Sequence, residues 1–321
     1  MTIDYRPLRV ADYDELATLF TEASIADGRP VNEVGEEIRE DFESRPVDLA
    51  SHTFSAWDGE RLIGASYAYH VRSEERQECC YVCGTVHPDF RGRGVGRRLF
   101  LDASAVAERL LRASSSRAPK MIRSDASGAN VSAMRLYERE GLRPVRCFAD
   151  LRRPLDSVPE PLPADGFQVM PWDTARSEEI RAVKNLAFRD HWGSSAVSQE
   201  HWEIQAAGFG ARPDLSFVAV SPAGNIVGYL LSHRYENDES LLGARYAWVD
   251  NIGTLAEWRG RGVASALLAA ALAAYRDAGM DFAAIDVDSD NPTGAYRLYE
   301  SLGFAPWRQT MLYQRDVGVP E

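Results

Sequence analysis

The stretch Phe90-Arg-Gly-Arg-Gly-Val-Gly-Arg-Arg-Leu-Phe100 returns 168 residues later as Trp258-Arg-Gly-Arg-Gly-Val-Ala-Ser-Ala-Leu-Leu268. This recurrence constrains the chain strongly, because the neighbours recur in the same order. Phe54–Trp57, a turn at Asp58-Gly59 and Arg61–Tyr67 read as a strand hairpin, echoed by Phe217–Val220, Ala223–Asn225 and Ile226–Leu231. Strands at Tyr81–Val86 and Trp248–Thr254 lead into the glycine loops, and helices open at Val95 and Val263. Another strand follows in each copy, Lys120–Arg123 and Phe282–Val287. Then come Asn130, Leu136-Tyr137 and Gly141-Leu142 in one copy, and Asn291, Leu298-Tyr299 and Gly303-Phe304 in the other. Helical spacing of apolar residues predicts a leading helix at Asp12–Ala26 and again at Ser177–Phe188. Self-similarity of this length and order marks a duplicated module. Strands alternating with helices give each copy a mixed α/β sheet.

The 321 residues suffice for two such modules. The boundary is expected in Arg152–Gly166, which carries four prolines in fifteen residues and reads as a semi-extended linker. The predicted domains are therefore 1–151 and 167–321, with 152–166 between them. Net charge is −12, with residues 1–153 near balance (25 acids, 23 bases) and residues 154–321 at 23 acids against 13 bases. Nucleic acid is an unsuitable partner for such a surface, since phosphate binding requires a basic face. No long apolar run suggests a membrane span, and the start lacks a secretory pattern, so the expected location is the cytoplasm. Of the four cysteines, Cys80 and Cys83 have CxxC spacing, but nothing completes a metal set, and their strand context reads as core. Only Lys120 and Lys184 are lysines among the 36 bases.

A loop that follows a strand and opens a helix presents unpaired N–H groups at the positive end of the helix dipole. Gly260 and Gly262, like Gly92 and Gly94, let backbone approach a ligand closely. Arg259 and Arg261, like Arg91 and Arg93, add charge. The result is an anion cradle of pyrophosphate size. A Walker loop would require Gly-Lys-Ser/Thr, and a Rossmann fingerprint a different glycine spacing; neither copy has them.

Arg259-Gly-Arg-Gly-Val-Ala264 with Asn291…Leu298-Tyr299-Glu-Ser-Leu-Gly-Phe304, and Arg91-Gly-Arg-Gly-Val-Gly96 with Asn130…Leu136-Tyr137-Glu-Arg-Glu-Gly-Leu142, resemble the GNAT superfamily of CoA-dependent N-acyltransferases. The resemblance spans nearly the whole chain outside the linker. It implies two tandem domains, each a splayed mixed sheet flanked by helices, with acetyl-CoA as donor. It places cofactor contacts at Ile252, Gly253, Thr254, Arg259, Gly260, Arg261, Gly262, Val263, Ala264, Ser265 and Asn291. In the first copy the corresponding contacts are Val86, Arg91, Gly92, Arg93, Gly94, Val95 and Gly96. It also implies a carboxylate nine residues before the loop's first arginine as general base, and a tyrosine on the later helix as general acid.

Those positions hold Asp250 and Tyr299 in the second copy, but Val82 and Tyr137 in the first. Valine accepts no proton, so the second copy is expected to be the working one, with Glu78 or His87 as other bases open to the first. The spacing from asparagine to tyrosine is eight residues in the second copy against seven in the first. Asp190, His191, Trp192 and Trp202, in the loop after the leading helix, are candidates to line a pocket for a small-molecule amine acceptor. Two further readings stay open here: acetylation of a cysteinyl amine, and a non-catalytic acyl-CoA-binding scaffold.

Overall fold

The computed structural model describes residues 2–72, 77–160, 166–189, 191–194, 196–290 and 294–318. It divides into two compact units, 1–148 with 308–321, and 149–307. In the first unit the strands are β1 (Asp4–Arg6), β2 (Thr53–Asp58), β3 (Arg61–Val71), β4 (Glu78–Val86) and β5 (Lys120–Ser127). The second unit holds β6 (Arg143–Pro154) from Ala149 onward, β7 (Gln168–Pro171), β8 (Phe217–Val220), β9 (Ile226–His233), β10 (Tyr246–Thr254) and β11 (Phe282–Asp288). The chain's last strand, β12 (Ala305–Asp316), enters the first unit from Arg308 and pairs antiparallel with β5.

This arrangement differs from the expected boundaries. Arg152–Pro154 belong to a strand, and the core of the second unit takes in Ala149, Leu151 and Leu155, at 2%, 0% and 3% exposure. Alternation of inward apolar residues continues into the first proline-bearing stretch, and the proline at position 154 ends the strand rather than interrupting it. Residues 161–165 lie outside the described residues.

Within each unit the strand order is the same mixed pattern. Hairpins run β2–β3–β4 and β8–β9–β10, and one parallel pair follows each, β4 with β5 and β10 with β11. A parallel connection needs a crossover, supplied by the helices Val95–Ala113 and Val263–Asp277. The second of these, VASALLAAALAAYRD, is nearly all alanine and leucine and packs Ala266, Leu267, Leu268, Ala271 and Leu272 into the core. Both parallel pairs are short. β4 and β5 pair from Glu78↔Lys120 to Tyr81↔Arg123, and β10 and β11 from Tyr246↔Phe282 to Val249↔Ile285. All four strands continue past those pairs, so each sheet opens into a splay at the end that faces its glycine loop.

Candidate active site

Each glycine loop begins just beyond a splayed strand. Gly260 and Gly262 sit at φ 73° and 80°, and Gly92 and Gly94 at φ 76° and 88°. That left-handed region strains a residue bearing Cβ. A Cβ built at any of the four would meet no protein atom within 4 Å. The glycines are thus required by backbone geometry and leave open space above the loop, as a cradle for an approaching anion should. Gly262 and Gly94 are the N-cap residues of the two crossover helices, and neither N-terminus is capped by a side chain. Their backbone donors therefore point toward that open space.

The two arginines of each loop divide their roles, a separation the sequence reading did not make. Arg259 donates to the carbonyls of Thr254 at 3.3 Å and Ala187 at 2.8 Å, while Arg91 donates to the Val86 carbonyl at 3.0 Å and pairs with Asp27 at 2.5 Å. These guanidiniums are anchored on neighbouring protein groups, and Arg91 also lines the cavity beside its loop. Arg261 and Arg93 instead lie over Trp258 and Phe90, at 4.9 and 5.2 Å from the ring centroids, and remain exposed. Val263 and Val95 are buried, at 2% and 1% exposure, so only their backbone faces the cradle. Asn291 lies outside the described residues. Asn130 caps the helix Val131–Arg139, accepting from the Ala133 N–H at 3.0 Å and donating to Asp27 at 2.9 Å.

Asp250 reaches the splay of the second unit by a specific device. The register of β10 against β9 runs Val249↔Ser232 and then Asn251↔Leu231, leaving Asp250 as an extra, bulged residue. A bulge re-aims its side chain out of the regular alternation. In the first unit β3 and β4 pair without interruption, with Val82↔Ala68 next to Cys83↔Tyr67. By pairing, Val82 corresponds to Val249, and Asp250 has no counterpart. Counting back from the loop places Val82 opposite Asp250; the register shows an insertion instead of a substitution.

Around Asp250 the structure gathers residues that the sequence did not single out. Gln205 of the helix Gln199–Ala207 donates to Oδ2 at 2.9 Å, and His233 Nδ1 lies 3.7 Å from Oδ1. Next to it, the Tyr229 hydroxyl donates to Asn251 Oδ1. Lys184, on the helix Ser177–Ala187, is 8% exposed, and burial pushes its ammonium down to about 8 against the attraction of Asp250. Its identity was the available signal. It is one of two lysines, with Lys120, in a chain whose other bases are arginines, and a lysine, unlike an arginine, can shed its proton when buried.

The acceptor candidates fare unevenly. Trp202 is 1% exposed, donates from Nε1 to the Ser177 carbonyl and hydroxyl at 3.0 Å each, and packs near Trp172 and Tyr229. It is core, which removes it from the pocket; its helix faces the site through Gln205. His191 and Trp192 stay part-exposed in the loop, the imidazole Nδ1 lying 3.0 Å from the Trp192 carbonyl. Asp190 lies outside the described residues. Tyr299 is 6% exposed on the helix Ala295–Ser301, and burial lifts its phenol well above the ordinary value, so it holds its proton at neutral pH.

Three comparisons bear on this chain. The Acetyltransferase (GNAT) family model matches residues 177–304, and the Acetyltransferase (GNAT) domain model matches residues 50–143. A mycothiol acetyltransferase of Thermobispora bispora is 34% identical over 272 residues, 81% of this chain and 82% of the relative. The chain belongs to the GNAT acetyltransferase family. A mycothiol acetyltransferase of Salinispora arenicola is likewise 34% identical, over 82% of this chain and 81% of its own. Among solved structures, a GCN5-related N-acetyltransferase from Sphaerobacter thermophilus aligns with TM-score 0.76 at 25% identity, covering 98% of this chain and 96% of that one. A tandem GNAT protein from the clavulanic acid biosynthesis pathway shares the fold at TM-score 0.74 and 17% identity over the full length of both chains. This GNAT protein is accordingly an acetyl-CoA-dependent N-acetyltransferase with two GNAT modules. No helix among the described residues is long and apolar enough to cross a membrane.

Proposed function

We propose that the second unit performs the transfer, to the primary amine of a small molecule, with Asp250 as proton acceptor and Tyr299 as proton donor. The observation that supports this reading is the bulge at Asp250, a carboxylate inserted in β10 just beyond its last pair with β11 and without a counterpart in β4. Acetyl-CoA, when bound, supplies the activated acetyl thioester. The amides at the start of the helix Val263–Asp277 and the exposed Arg261 fit its pyrophosphate. Gln205 holds the Asp250 carboxylate in place, and Asp250 takes, directly or through water, the proton the amine must lose. Tyr299 keeps its proton at neutral pH and serves as the donor to the departing sulfur.

The named relatives favour one acceptor chemistry over the general class: the α-amine of a cysteinyl compound, as the term mycothiol acetyltransferase implies for those proteins. A panel of amines, including a cysteinyl amine and an amino sugar, assayed by release of CoA thiol, tests the acceptor. Asp250→Asn should lower turnover by about 100-fold at acid pH, with partial recovery as pH rises and the acceptor deprotonates unaided. A loss of equal size at every pH would assign Asp250 to positioning instead.

A further inference from the structure

The first unit lacks the bulged aspartate, yet its splay is not without a carboxylate. Side chains two apart on a strand share a face. Beyond the last pair, Tyr81↔Arg123, that rule sets Cys83 of β4 and Asp125 of β5 on one face, across the opening from each other. Tyr69 and Tyr67 of β3 join the same face, in register with Tyr81 and Cys83. The electrostatics agree with this placement, for Asp125 acts on Cys83, Tyr69 and Tyr137. Asp125 keeps open surface, while the protein around it is dense enough for desolvation to raise its carboxyl above the usual range. A cavity of about 420 Å³ runs from the glycine loop at Gly92 and Gly94 to Cys83 and Tyr137. The Tyr137 hydroxyl donates to the backbone carbonyl of Asp125 at 3.2 Å, which ties this stretch of β5 to the helix that lines the cavity.

The same register place is acidic in the second unit. Cys80↔Ile122 corresponds to Ala247↔Ala283, so Asp125, three residues beyond Ile122, matches Asp286, three beyond Ala283. Each stands five residues before the motif asparagine, Asn130 or Asn291. A carboxylate common to both copies, just beyond the paired part of each sheet, suits the ammonium group common to amine acceptors.

We propose that the first unit holds a second acceptor site, in which Asp125 binds a primary amine carried on an apolar or aromatic body and takes its proton for acetyl transfer. Resting on the GNAT reading above, it assigns chemistry to the copy that the reading leaves idle. The wall that would receive the body is aromatic: Tyr69 and Tyr81 stack at 5.1 Å, and Arg45 lies over Tyr69 at 4.8 Å, paired with Asp41 at 2.6 Å. Glu78 and His87 do not fill the role of base. Glu78 is 1% exposed at the paired end of β4, within 2.8 Å of both His70 and Ser114, and His87 is engaged by Glu22 at 3.1 Å and by Arg61. Burial pushes the Cys83 thiol up to about 12, so it is not a thiolate nucleophile and transfer is direct. In the step, Asp125 takes one proton from the ammonium. The freed nitrogen forms the C–N bond to the acetyl carbon as the C–S bond breaks. The surplus proton on nitrogen passes through water to the sulfur, giving the amide and CoA thiol.

The test uses the full chain with the second site disabled by Asp250→Asn and Gly262→Val together, with tyramine as probe. The expected result is tyramine-dependent thiol release that falls at least tenfold when Asp125→Asn is added, returns in part with Asp125→Glu, and leaves calorimetric CoA binding to the first unit unchanged. Asp125→Asn should also weaken tyramine binding in a titration followed by NMR. CoA bound in the first unit without tyramine-dependent release, or release indifferent to Asp125→Asn, would overturn the proposal. So would absence of CoA from the first unit, an outcome that leaves the second unit's reading standing, because that reading is scored on the chain with Asp250 and Gly262 intact.

Discussion

Lys184 offers a quantitative test of the second unit's site. Its amine is 8% exposed, and desolvation lowers it from 10.5 to about 8 even though Asp250 pulls the other way. Below pH 8 the folded and unfolded chains both carry the proton, so the folded state bears the full penalty of a buried charge. Between about pH 8 and 10.5 the unfolded chain binds the proton and the folded chain does not, so stability rises with pH through that window. At roughly 1.36 kcal/mol per pH unit the whole gap corresponds to about 3 kcal/mol. Lys184→Met keeps the unbranched stem and removes the charge. The variant should therefore exceed the parent in stability by up to about 3 kcal/mol at pH 7, and about 2 kcal/mol of that advantage should be gone at pH 9.5. Urea denaturation of both proteins at the two pH values, followed by tryptophan fluorescence, measures the difference, and other titrations cancel between them. The same variant should acetylate more slowly, because the cation beside Asp250 is lost. A stability difference that does not change between pH 7 and 9.5 would refute the argument, since it would mean that Lys184 carries no proton penalty in the folded chain.

Gly262→Val puts a β-branched residue at φ 80°, a strain of roughly 1–2 kcal/mol, and fills space above the loop that no protein atom occupies. CoA affinity at the second unit should fall at least tenfold by calorimetry, with unchanged affinity counting against the cradle. Tyr299→Phe should reduce kcat about tenfold while leaving the CoA dissociation constant as it was; a matched loss in both would make Tyr299 a packing residue. A fragment cut at the proline-rich segment, 152–321, lacks Ala149 and Leu151, whose side chains are 2% and 0% exposed in the second unit's core, and retains residues from 308 onward that belong to the first. It should be less soluble and melt lower than a 149–307 fragment. Equal melting temperatures would show that the strand β6 contributes little to that core.

Duplication, the mixed α/β class and the position of both cradles were legible in the sequence, because each depends on local order. A glycine needed at positive φ before an Ala/Leu helix is a short-range demand, and it stands at Gly260 and Gly262 as it does at Gly92 and Gly94. Asp250 was legible too, by its distance from the loop, although its cause was not. A bulge is a relation between two strands, visible only once β9 and β10 are set side by side. Tertiary pairing likewise decided what spacing left open. Trp202 went to the core while Gln205, one turn along the same helix, reached the carboxylate. The guanidiniums of Arg91 and Arg259 found carbonyl partners at Val86 and Ala187, which spacing alone does not reveal. The last strand joined the first unit from Arg308 onward, and β6 the second from Ala149 onward, because the partner of β12 is β5, far away in the chain and invisible to local spacing. Asp125 shows the same division. Its residue type was in plain view, but only the parity of β5 against β4 puts it across the open splay from Cys83.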